Sequence, residues 1–338
     1  MSQGKVIQPL ARRMLNTGEM VAKYPPRWRH PNKEAVYRMA CPTGCKHGGE
    51  LMYSRWPPFP LPDVLDTDAH RTELEAREDI FTYDPSPREP PTADWHLNFA
   101  ASDLFCAYGS ALFAQDEMQV AEHPALGSLR EALLALGEST MTVDGKEPTP
   151  ILVTGVERRC HIATDPDPVE GRPSGLYGNN FAGAAVEVVA RATTLLNPPT
   201  MSNIIAIEAP SYGHGRYRLG EIEFILRTAF SGLAAACLES RRGRDSAPHV
   251  VVHTGFWGCG AYGGNRVMMA LLQVVAARLA RLDQMVFHTL NRTGADSLAC
   301  AMALLDGELV AAKRQVGLED FLRRLEGKGL RWGVSDGN

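Results

Sequence analysis

No stretch of this 338-residue chain is apolar for long enough to cross a bilayer, so no membrane partner is expected. The opening segment MSQGKVIQPLARRM lacks the apolar run and small-residue cleavage site of a secretory leader. An excess of basic charge is missing too: 35 Lys and Arg face 39 Asp and Glu, a net charge of −4. Sequence-blind binding to nucleic acid needs a basic surface, so nucleic acid is not an expected partner. The seven cysteines are odd in number and scattered, which fits reduced thiols and a cytoplasmic setting better than a disulfide framework. No G-x-G-x-x-G follows an early strand with an acidic ribose partner, which disfavours a nicotinamide-dependent dehydrogenase. Internal repeats and low-complexity tracts are absent as well. What is present is an apolar fraction of 44%, enough for one large domain with an extension or for two small ones.

Residues 1–95 are rich in proline and charge, with Pro25-Pro26, Pro57-Pro58, Pro60, Pro62, Pro85, Pro87, Pro90 and Pro91. Short helical patterns near 5–22 and 66–78 interrupt what otherwise reads as irregular wrapping. Cys41, Cys45 and His47 lie in CPTGCKH, a spacing within the zinc range. No second pair of ligands follows at a usual interval, so a structural turn is expected and no metal. From residue 96 the pattern changes. HLNFAA (96–101), ILVTGV (151–156), IIAIEA (204–209), HVVV (249–252) and MVFHTL (285–290) read as strands. Between and after them, 110–121, 128–136, 219–240, 266–282 and 294–314 carry helical spacing, clearest at Ile222, Ile225, Leu226, Phe230 and Leu233. Strands alternating with helices imply an α/β domain with a central, covered sheet. The expected division is a proline-rich, irregular and helical N-terminal extension over 1–95 that wraps the core, the α/β domain over 96–317, and a short charged helix with its tail over 318–338.

The segment HTGFWGCGAYGGN, residues 253–265, organises the chemistry. Five of its thirteen residues are glycine, and Trp257, Cys259 and Tyr262 lie between them. It follows a β-branched run and precedes a long helical pattern. Strand, glycine-rich turn and helix together build a phosphate site: glycines let the backbone approach a diphosphate, and N–H groups at the turn and helix start point at the anion. An ordinary tight turn around a buried tryptophan is the plain alternative, and the aromatics at fixed places favour a ligand-shaped loop.

Thr254 to Gly264 resembles the diphosphate-binding loop of the poly(ADP-ribose) glycohydrolase family, a branch of the macrodomain fold, whose pattern reads T-G-N-W-G-C-G-A-F-G-G. Only Phe256, in place of asparagine, and Tyr262, in place of phenylalanine, depart from it. The other half of that signature reads V-D-F-A-N, a glycine triplet, Q-E-E and P-E-L. At the family's intervals this chain has Leu97 to Ala101, Gln115-Asp116-Glu117 and Pro124-Ala125-Leu126. The resemblance spans about residues 96–300 and implies a macrodomain-like mixed sheet flanked by helices. It also implies roles. Glu117 would protonate the leaving oxygen and then activate water, and Asp116 would hold ribose hydroxyls. Gln115, Asn98, Phe105 and Phe256 fall on the ribose side, and Trp257, Gly258, Cys259, Gly260, Ala261 and Tyr262 at the diphosphate. Tyr177 and Leu290 fall beside the adenosine. Taken alone, Gln-Asp-Glu is an acidic first helical turn that suits the helix dipole. Cleavage at a ribose passes through an oxocarbenium-like state and needs an acid and charge stabilisation, which two carboxylates supply.

Departures from the family pattern gather around the scissile ribose. Phe105-Cys106-Ala107 replaces the glycine triplet, Ala101 and Phe256 replace asparagines, and Asn98 replaces an aspartate. A retained diphosphate site beside a reshaped, more apolar sugar pocket is the expectation. Three function classes stay open. The first is a glycohydrolase of an ADP-ribosyl conjugate, a small NAD-derived or nucleotide metabolite being favoured over poly(ADP-ribose). The second is a non-catalytic reader of ADP-ribose, which has no use for Glu117. The third is a hydrolase built on Ser110, His123 or His214, which nothing in the sequence ties together. The expected partner is thus an ADP-ribose-containing small molecule or conjugate, and no cofactor is expected.

Overall fold

A computed structural model describes residues 7–66, 70–79, 81, 83, 91–210, 213–243, 246–311 and 315–336. Strand β1 (Ala11–Asn16) runs straight into helix α1 (Thr17–Lys23), and α2 (Pro31–Ala40) follows. Asn16 caps α1 by accepting the Glu19 N–H at 3.0 Å. Pro31 opens α2, where its fixed φ suits a helix and its missing N–H costs nothing. Next come β2 (Glu50–Arg55), β3 (Val64–Asp66), β4 (Glu73–Arg77) and β5 (Thr92–Ala100), then helices α3 (Gln115–Glu122) and α4 (Ala125–Leu136). A small hairpin, β6 (Val143–Asp144) and β7 (Glu147–Pro148), leads into β8 (Ile151–Ile162). Helices α5 (Asn179–Gly183) and α6 (Val186–Ala192) precede the long β9 (Thr193–Glu208). The remainder alternates: α7 (Leu219–Arg241), β10 (His249–Thr254), α8 (Arg266–Ala280), β11 (Gln284–His288), α9 (Arg292–Ala311), β12 (Gln315–Gly317) and α10 (Leu318–Gly327).

Eight strands form one mixed sheet in the order β1-β2-β8-β9-β5-β10-β11-β4. β9, β5, β10, β11 and β4 are parallel to one another, and β8, β2 and β1 join antiparallel. Side chains alternate between two faces. Leu97, Leu152, Ile205 and Ile207 enter the core beneath α7 and α8, whereas Ile151, Val153, Ile204 and Ala206 enter a second core under α4. Both faces are covered, so the strands read as near-continuous apolar runs. Each such fully buried Leu, Ile or Val side chain stabilises the fold by about 1.5–3 kcal/mol.

The α/β expectation holds, and the sheet is larger than the sequence implied. Residues 1–95 supply β1, β2 and β4, so this stretch contributes both edges of the central sheet as well as peripheral structure. The helical pattern near 5–22 is realised only in α1, because Ala11–Asn16 pair with β2. Near 66–78 the described residues form β4, which pairs with β11, and no helix. Edge strands tolerate charge on both faces: ARRMLN shows no apolar alternation, and in ELEAR the alternation rests on Leu74 and Ala76 alone among three charged residues. The helix expected over 110–121 begins only at Gln115, where Glu117 caps it. Pro85, Pro87, Pro90 and residues 312–314 of the last expected helix lie outside the described residues.

Candidate active site

The C-terminal ends of β5, β9 and β10 open onto a cavity of about 240 Å³, the usual place for a ligand on a parallel sheet. One wall is the first turn of α3. Gln115 fixes its rotation: Gln115 Oε1 accepts the Phe99 N–H at 2.8 Å, and Gln115 Nε2 donates to Leu97 O at 3.0 Å. Asp116 and Glu117 then line the cavity side by side, both nearly fully buried. Asn98 Nδ2 donates to Asp116 Oδ1 at 3.0 Å, and Glu117 Oε2 accepts the Ala114 N–H at 3.0 Å.

Burial governs the charge of this pair. It pushes Asp116 up to about 8, helped by the neighbouring Glu117 charge. Burial also raises Glu117, while the Lys33 cation and the backbone N–H groups it accepts pull the other way. Lys33 is itself buried, donates to Tyr108 O at 2.7 Å, and is lowered to about 8 by desolvation, with Glu117 and Asp116 opposing that shift. Two acids and a lysine thus share little water, and Asp116 holds at neutral pH a proton that a free carboxyl would release. Asp116 binds its proton up to about 8 when folded but only to about 3.8 when unfolded, so its contribution to stability falls as pH rises between those values. Asp116→Asn removes that loss. Thermal melts should show the variant gaining several degrees more over the parent at about pH 8 than at about pH 5, at roughly 2–4 °C per kcal/mol. An equal gain at both pH values would mean that Asp116 is already ionised at the lower one.

The opposite wall is the loop after β10. Trp257 is fully buried and donates Nε1 to Ile207 O at 3.1 Å, anchoring the loop to β9. Gln273 of α8 holds its start, donating to Gly255 O at 3.0 Å and accepting Thr254 Oγ1 at 2.5 Å. Gly258 has φ +74°, and a Cβ there would come within 2.5 Å of Ala209 Cβ, so only glycine fits. Backbone bonds from Trp257, Cys259, Gly263 and Gly264 N–H close the loop on itself. Among the described residues, the N–H groups of Gly258, Gly260 and Ala261 make no backbone bond. All three residues line the cavity. Glu208 ties the two sides together by accepting the Ser102 N–H and bonding the Tyr262 hydroxyl.

A second cavity of about 590 Å³ continues from the first, sharing Phe99, Gln115, Tyr177 and Gly260. Phe256, Cys259 and Leu290 line it, together with Phe81, Arg266, His288 and Asp336. Arg266 stacks its guanidinium on the Phe256 ring at 4.9 Å.

The structure therefore brings together most of the residues singled out above: Gln115, Asp116, Glu117, Tyr177, Trp257, Gly258, Gly260, Ala261 and Tyr262 around the first cavity, with Phe256, Cys259 and Leu290 around its extension. Two do not fit the expectation. Asn98 is fully buried beneath Asp116 and lines neither cavity, because its strand position points at α3. Phe105 adopts φ +55°, which turns its ring into the core with Leu104 and Tyr108, so Cys106 and Ala107 face the cavity instead. His123 is buried, its Nδ1 donating to Gln119 O and its Nε2 bonded to Ser202 Oγ, and Ser110 Oγ accepts the Leu112 N–H, so Ser110 and His123 do not pair. Sequence reasoning missed Lys33, Phe81, Phe99 and Arg266. Only Arg266 left a signal, since a cation in the first turn of a helix opposes the dipole unless an anion is near.

Residues 176–297 match the family described as Poly (ADP-ribose) glycohydrolase (PARG), Macro domain fold. The match takes in Tyr177 and the whole 253–265 loop and leaves out α3. No curated protein matches the chain. Among solved structures, the chain is similar to poly(ADP-ribose) glycohydrolase from Thermomonospora curvata, at 16% identity and a TM-score of 0.45, over 85% of this chain and 97% of that one. It is also similar to poly(ADP-ribose) glycohydrolase from Deinococcus radiodurans in complex with ADP-ribose, at 15% identity and a TM-score of 0.42, over 88% and 95% of the two chains.

Proposed function

We propose, from a chain that carries the macro-domain fold of the poly(ADP-ribose) glycohydrolases, that it is a glycosidase cleaving the ribosyl bond of an ADP-ribosyl conjugate. The observation that carries this reading is that, in one cavity, two buried carboxyls shifted toward their protonated forms face a glycine loop whose Gly258, Gly260 and Ala261 N–H groups make no backbone bond among the described residues. The diphosphate lies on the N–H groups of Gly258, Gly260 and Ala261, near the positive end of α8. The adenosine occupies the larger cavity beside Tyr177 and Leu290, and the reacting ribose reaches Asp116 and Glu117.

In the reaction the Glu117 carboxyl gives its proton to the leaving oxygen as the C1″–O bond breaks. Positive charge grows on the sugar and is balanced by the Glu117 carboxylate left behind. The Glu117 carboxylate then takes a proton from water, whose oxygen bonds to C1″. ADP-ribose and the free alcohol leave. The Lys33 cation opposes the rise that burial gives Glu117, which eases release of the Glu117 proton.

A compact aglycone fits better than polymer. The sugar end is walled by Phe99, Ala100, Ala101, Cys106, Ala107 and Leu112, which offer a second ribose few hydrogen bonds. A small NAD-derived or nucleotide conjugate is therefore the favoured substrate. Chromatographic assays of ADP-ribose release should show small conjugates turning over faster than poly(ADP-ribose). Polymer breakdown at an equal or higher rate would reverse the substrate assignment. Binding of ADP-ribose with no turnover of any conjugate would leave a reader of ADP-ribose.

A further inference from the structure

Away from this cavity, the end of α2 and the turn after it bring together three soft ligands. Cys41 follows the helix, its N–H bonded to Tyr37 O at 2.8 Å. Gly44, with φ +85°, completes a turn closed by Cys45 N–H on Pro42 O, which returns Cys45 toward Cys41. His47 comes two residues later. One ligand atom from each of Cys41, Cys45 and His47 lies within 4.8 Å of the others. Cys41 Sγ and His47 Nε2 are 3.8 Å apart. With Zn–S of about 2.3 Å and Zn–N of about 2.0–2.1 Å, the S···N edge of a tetrahedron is about 3.6 Å. A small closure would seat the ion.

We propose that Cys41, Cys45 and His47 form a zinc site with an open fourth position. Three observations carry it beyond spacing. His47 bonds Glu157 Oε2 through Nδ1 at 3.1 Å, which leaves Nε2 turned toward the thiols. That carboxylate–histidine–metal order orients ligating histidines generally. Glu157 is in turn held by Arg159, at 3.0 Å from Nε and 2.6 Å from Nη2. The charges also call for a dication. With an ion in place of the thiol protons, two thiolates and Glu157 would carry three negative charges against the one positive charge of Arg159, whose Nη1 lies 2.8 Å from Cys45 Sγ. Two sulfurs and an imidazole suit zinc over oxygen-seeking ions. The isolated CPTGCKH motif offered no second ligand pair, and the structure instead supplies its His47 with an orienting carboxylate from β8.

The ion would pin the end of α2 to β8. α2 also carries Lys33, so the site braces the element that sets the charge beside Glu117. The inference is independent of the substrate reading.

The test uses the full chain, reduced and stripped with a chelator. Titration with Zn²⁺ should load one ion per chain, raise the melting temperature by mass action, and on Co²⁺ substitution give the visible bands of a tetrahedral thiolate site. Cys41→Ser and Cys45→Ser should each abolish the cobalt bands. Glu157→Gln, which spares all three ligands, should weaken zinc binding by about 10–100-fold while keeping the spectrum. Circular dichroism checks that each variant folds. Failure of the reduced, folded parent to take up zinc would overturn the proposal. So would unchanged uptake in the serine variants, or a Cys41–Cys45 disulfide in the protein as isolated from reducing cytosol.

Discussion

Glu117→Gln is expected to lower the single-turnover rate by about 10²–10⁴-fold, the range general acid–base catalysis contributes, while leaving the dissociation constant of ADP-ribose within about twofold. Glutamine keeps the length of the side chain and can still accept the Ala114 N–H through its amide oxygen, so α3 keeps its cap. What it loses is a proton that can leave. The measurement pairs single-turnover chromatography with calorimetric titration. Undiminished turnover in the Glu117→Gln protein would move the chemistry to another group, and Asp116 is the one in contact range. A reader of ADP-ribose has no turnover to lose, so the parent's own activity on the conjugate decides between the two classes.

Gly260→Val carries the second large effect, on binding. A Cβ at Gly260 projects toward Asp336, whose Oδ2 it would meet at 3.0 Å, and into the space shared by the two cavities. The branched side chain keeps a diphosphate from the neighbouring N–H groups. ADP-ribose affinity should fall at least about tenfold, which is about 1.4 kcal/mol. The neighbouring Gly258 would be a poor choice for this test, because its positive φ and the clash with Ala209 would unfold the loop. At Gly260 the neighbour is the end of a side chain, so the melting temperature should change little. Unchanged affinity in a folded Gly260→Val protein would place the diphosphate elsewhere.

The central part of the fold was legible because its strands are buried on both faces and its helices are amphipathic. HVVV, IIAIEA and the spacing of Ile222, Ile225 and Leu226 leave little choice of structure. The edges were not legible. ARRMLN and ELEAR pair through backbone groups that every sequence possesses, and their side chains meet solvent. Within the site, the glycine loop and the Gln115–Glu117 turn could be found because chemistry fixes residue type and spacing there. Asn98 and Phe105 were misplaced for a different reason. Which way a side chain points depends on strand face and on one φ angle, and neither is written in composition. Lys33 could not be found at all. A lone lysine in a proline-rich stretch becomes significant only when α2 packs against α3 and brings its ammonium near two acids.

The placement of β1, β2 and β4 at the two edges of the sheet bears on how fast the molecule can assemble. Gln284 of β11 donates to Glu75 of β4 at 2.8 Å across 209 residues of chain, and Arg12 of β1 reaches Glu239 of α7 at 2.7 Å across 227. Contacts of such range reward the chain only after long loops have closed, and rates fall as mean contact separation grows. The parallel centre, β5 with β9 and β10, can order around α7 and α8 while both edges still lack their partners. During that interval β8 and β11 present open rows of N–H and C=O groups to any other strand at hand. Synthesis at high concentration therefore sets this protein's yield as a race between edge closure and self-association.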